Sequence, residues 1–92
     1  MTDPLEPFRR HLEALRESEN LNVRQLELER ERSANTRVMV ADLLSRDGSL
    51  YDAGVDLLDS AARSRAAAEA AFAASVESRE AAERLLRQLE TR

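Results

Sequence analysis

From Leu50 to Leu89 the chain repeats uncharged residues at alternating steps of four and three: Leu50, Gly54, Leu57, Ala61, Ser64, Ala68, Ala71, Ser75, Ser78, Ala82, Leu85 and Leu89. Steps of four and three bring side chains to one face of an α-helix, so this stretch predicts a long helix with a continuous seam. Large residues stand at both ends of the seam, with alanine and serine between them. A preceding stretch carries a matching period at Phe8, Leu12, Leu15, Glu19, Asn22, Leu26, Glu29, Ser33, Thr36, Val40 and Leu43.

The two stretches are separated by "RDGSLYD", residues 46–52. Gly48 is expected to end the first helix in the left-handed conformation, Ser49 to cap the second, and Asp52 to stand as the capping-box acid. At the start, "DPLEP" offers Asp3 as a cap, Pro4 in the first turn and Glu6 as a capping-box acid; Pro7 at the first helical position is the later alternative. The expected fold is all-α: one domain over residues 1–92, a long antiparallel helical hairpin with a coiled-coil-like seam of small residues. Arm 1 covers about residues 4–46, the turn 47–49 and arm 2 about 50–91, which would span about 60 Å at 1.5 Å per residue.

A turn at this place sets residue i roughly opposite residue 97 minus i. The predicted intrachain seam then brings Phe8, Leu12, Leu15, Leu26, Val40 and Leu43 of the first arm against Leu57, Ala61, Ala68, Ala71, Ala82, Leu85 and Leu89 of the second. Large meets large at the ends, while the small residues in the middle favour close approach of the helix axes, towards 8 Å. Glu19 and Glu29 opposite small residues are less comfortable there. An alternative roll of arm 1 onto Val23, Leu26, Ala34, Val38 and Ala41 stays open, and "SENLN" (18–22) and "SANTR" (33–37) are places where the arm could bend.

Composition narrows the class. Ninety-two residues with two glycines, two prolines, three aromatics and no cysteine exclude a disulfide framework and a thiolate metal site. A net charge of −4 disfavours direct nucleic-acid binding, and in "ELERERS" (27–33) glutamates cancel the neighbouring arginines. All fourteen basic residues are arginine, a usage that codon bias explains as well as chemistry does. No stretch approaches the ~18 apolar residues of a membrane span and no apolar leader follows Asp3 and Glu6, so a soluble, cytoplasmic protein is expected, with no membrane partner.

Candidate chemistry is sparse. His11 is the only histidine and has no second ligand at helical spacing. "RDGSLYDAGVD" fails as a calcium loop, because Leu43, Ser45 and Gly54 fall on three ligand positions. No nucleophile, base and oxyanion set converges, so neither an enzyme nor a cofactor is expected. At helical spacing Glu6–Arg10, Asp59–Arg63, Glu80–Arg84 and Glu83–Arg87 are positioned to pair on a solvated face.

Apolar residues outside the seam mark a candidate partner interface: Leu21 and Leu28 on the first arm, with Val55, Leu58, Phe72, Val76 and Leu86 on the second. A stripe of this kind needs cover, and two hairpins packed together would form a four-helix bundle. The expected function is a non-catalytic interaction or structural module that self-associates as a homodimer through helix faces and can meet another helical protein. A secreted or phage-encoded hairpin that binds a host protein is the alternative, and a nucleic-acid-associated regulator is less favoured.

Overall fold

The computed structural model describes residues 3–92 and contains two long helices, α1 (Glu6–Arg46) and α2 (Tyr51–Glu90), joined by a 3-10 turn at Gly48–Leu50. The helices fold back on each other as an antiparallel hairpin of 71 × 16 × 13 Å. Its radius of gyration is 20.7 Å, against about 12 Å for a compact domain of this length. α1 runs unbroken through both suspected weak places. Thr36 donates its hydroxyl to the Arg32 carbonyl at 2.9 Å, a back-bond that satisfies the side chain without interrupting the helix.

Both ends of the turn are closed by Asp47, not by the residues expected. Its N–H donates to the Leu43 carbonyl at 2.9 Å and finishes α1. Its backbone is extended, and its Oδ1 accepts from the Ser49 N–H at 3.0 Å and the Ser49 hydroxyl at 2.6 Å. Gly48 takes no positive φ, because an extended residue at Asp47 already turns the chain. Leu50 precedes α2 without a side-chain cap, so Ser49 and Asp52 do not form the expected capping box. At the other end Asp3 Oδ1 accepts from the Leu5 N–H at 2.9 Å, and Glu6 turns to Arg10.

Along α1 the inward positions are Leu12, Leu15, Glu19, Asn22, Leu26, Glu29, Ser33, Thr36, Val40 and Leu44. The helix does not roll onto the alternative stripe, since Val38 is 71% exposed. Along α2 they are Gly54, Leu58, Ala61, Arg65, Ala68, Phe72, Ser75, Arg79, Ala82, Leu86 and Leu89. Every second expected position of α2 is therefore displaced by one residue, a rotation of about 50° given 100° per residue.

That rotation corrects several seam positions. Leu57 is 50% and Leu85 47% exposed, and Ala71 is also exposed. Phe8 and Leu43 sit at the rim, each 43% exposed, and Leu44 takes the inward place near the turn. The cause is polar. The middle of α1 offers Glu19 and Ser33, and α2 turns Arg79 and Arg65 towards them in place of the expected Ser78 and Ser64, while Ser64 still reaches Glu29 from the side. Arg79 donates to Glu19, and Arg65 reaches the Ser33 hydroxyl at 3.5 Å.

Candidate helix-docking face

The two flanks of the hairpin differ in chemistry. On one, ion pairs bridge the helices: Arg9–Glu90 at 3.6 Å and Arg16–Glu83 at 3.5 Å, with Arg79 joining Glu19 and Glu83 between them. Hydrogen bonding to Glu19 raises the Arg79 pKa above its usual value, with a smaller contribution from Glu83. Partial burial would raise the Glu83 carboxyl, but Arg79 and then Arg16 outweigh it and hold the group below the ordinary carboxylate range.

On the other flank the only bridge among the described residues is a hydrogen bond between side chains. The buried Glu29 accepts from the Ser64 hydroxyl at 2.9 Å, from Gln25 Nε2 at 3.0 Å and from Arg32 at 3.1 Å. Nearer the turn, Met39, Leu43 and Leu57 line a shallow groove, and Met39 is 66% exposed. Leu21 and Leu28 lie one helical turn to either side of Gln25, which places both on this flank.

This flank continues onto α2 as a second periodic face: Leu50, Ala53, Leu57, Ser60, Ser64, Ala67, Ala71, Ala74, Ser78, Ala81, Leu85 and Gln88. All twelve are exposed and none is charged. The face is about 57 Å long and lies about 100° around the helix from the seam with α1. The steps of four and three that mark the uncharged half of α2 fit this face as well as the seam.

Of the residues expected at a partner interface, Leu21, Leu28 and Val55 are exposed. Leu58, Phe72, Val76 and Leu86 are half-buried within the hairpin, because the rotation of α2 brings them towards α1. Val55 stands on the charged flank, one heptad before Ala62, which lines that side with Ser33 and Arg37. Four charged residues follow the free edge of the uncharged face: Asp56, Arg63, Glu77 and Arg84. None of the four makes an ion pair among the described residues. Of the four i,i+4 pairs read from the sequence, only Glu6–Arg10 forms.

His11 is exposed, and no group of metal-ligating side chains occurs among the described residues. No helix among them is long and apolar enough to cross a membrane. No protein-family model, curated protein or solved structure matches the chain.

Proposed function

We propose that the protein is a non-catalytic helix-docking module that self-associates through its uncharged flank into a homodimeric four-helix bundle. One observation carries this reading: a twelve-position face running from Leu50 along α2, free of charge in a chain that is 35% charged, stands exposed along the whole hairpin. Water is a poor partner for such a face, and a second helix is a good one.

Surface area supports the same reading. The chain exposes 6966 Å², whereas a compact monomer of 10.4 kDa exposes about 5,400 Å². The excess, about 1,600 Å² per chain, is about twice the 800 Å² that each partner contributes to a standard specific interface. The intrachain core is also thin. Its buried apolar residues are Leu12, Leu26, Val40 and Ala68, too few to offset the ordering of helices of 41 and 40 residues with much to spare.

Sedimentation equilibrium combined with thermal melts at several concentrations tests the reading. A dimer predicts twice the 10.4 kDa chain mass and a melting temperature that rises with concentration. A single-chain mass at high micromolar concentration, with a concentration-independent melt, would leave the flank to a different protein.

A further inference from the structure

We infer that two copies pair through α2 in one antiparallel register, with the two-fold axis beside Ala70. This rests on the self-association proposed above and specifies its geometry. In an antiparallel helix pair, each core residue faces one from the opposite end of the repeat, and the residues along the outer edge face their own kind across the axis. With the axis level with Glu69 and Ala70, the face residue nearest Leu57 of one copy is Ala81 of the other, and the one nearest Leu85 is Ala53. Ala67 meets Ala71 at the centre. Leu57 and Leu85 each find an alanine, so large fills small there, and Leu50 meets Gln88 at the ends of the contact.

The edge charges select the same register. Asp56 of one copy falls opposite Arg84 of the other, and Arg63 opposite Glu77, so the two-fold makes four opposite-charge contacts from residues that have no partner within the chain. A slip of one heptad in one direction sets Asp56 against Glu77. A slip in the other sets Arg63 against Arg84. Either slip replaces attraction with repulsion, which gives the uncharged face a specified register that alanine and serine alone do not supply. A parallel pairing would place these edge residues against Ala61, Ala68, Ala82 and Leu89, which carry no charge to meet them.

Charge reversal with rescue tests the register. Arg63→Glu should weaken dimerisation about tenfold, since it turns two weak attractions into repulsions. Glu77→Arg should do the same, and the double variant Arg63→Glu/Glu77→Arg should return to within about twofold of the parent. Each variant is checked for unchanged helix content.

A nitroxide on Asp59→Cys supplies a distance. The antiparallel register separates the two labels by about 30 Å along the axis, whereas a parallel pair leaves only the 8 to 10 Å helix spacing between the backbones. Rescue with the long distance is the expected result. A dimer without rescue, or with the short distance, overturns the register and leaves self-association standing. A wild-type monomer overturns both.

Discussion

Gly54 lies so close to Val40 that a Cβ added to the glycine would stand 2.9 Å from Val40 Cγ1 and 3.4 Å from Leu44 Cδ1. Val40 is 3% exposed and β-branched, so it has little room to yield. The glycine therefore serves the approach of the two helices near the turn rather than any unusual backbone angle. Gly54→Ala gains about 1 kcal/mol of helix propensity but meets an overpacking cost of about 1 to 3 kcal/mol. We expect a net loss of stability in a denaturant melt. A rise in midpoint would show that the contact relaxes freely.

Glu29 holds the middle of the seam by accepting from Ser64 across the helices and from Gln25 and Arg32 beside it. Glu29→Ala leaves the Ser64 hydroxyl without this acceptor and opens a gap, for a loss of about 1 to 2 kcal/mol. Glu29→Gln keeps an oxygen for Ser64 and should lose less than half as much. Thermal melts of the two variants check the order, and equal losses would mean that the Ser64 bond contributes little.

Asp47 closes the turn, and its carboxyl is held below the ordinary carboxylate range, first by the Ser49 hydroxyl and then by the Ser49 backbone N–H. A folded pKa below the unfolded one gives stability that is complete above the unfolded value and lost as pH falls through the folded value. Glu83 acts in the same direction. The melting temperature should therefore be flat from neutrality to about pH 5 and fall below about pH 4. In Asp47→Asn the acid limb should be shallower. A melting temperature that rose on acidification over this window would contradict the assignment.

The hairpin was legible because its signals are local and redundant: few breakers within either arm, helix formers throughout and one Asp-Gly-Ser turn. The seam of α1 from Leu12 to Val40 follows from the same 4,3 spacing. Less legible was the rotation of α2. Its alanine-rich half offers two overlapping uncharged faces, and hydrophobicity alone favours the one without Arg65 and Arg79. What decides is the polar middle of α1. Glu19 and Ser33 take donors across the seam, and the long guanidinium side chains of Arg79 and Arg65 reach them in place of the short Ser78 and Ser64 hydroxyls. Leu58, Phe72 and Leu86 then turn towards α1, and Leu57, Ala71 and Leu85 are left exposed. The turn chemistry was misassigned for a related reason. Asp47, Ser49 and Asp52 are all competent caps, and only the extended backbone at Asp47 selects among them.

Ala71 gives the most direct test of the central claim, because it is exposed in the hairpin yet sits at the centre of the uncharged face. A charge there should be tolerated by a single chain and should stop a second helix from docking. Sedimentation equilibrium of wild type and Ala71→Glu at the same high micromolar concentration, with helix content measured in parallel, makes the comparison. The account predicts a dimer for wild type and a helical monomer for the variant. Equal masses for the two proteins would contradict it.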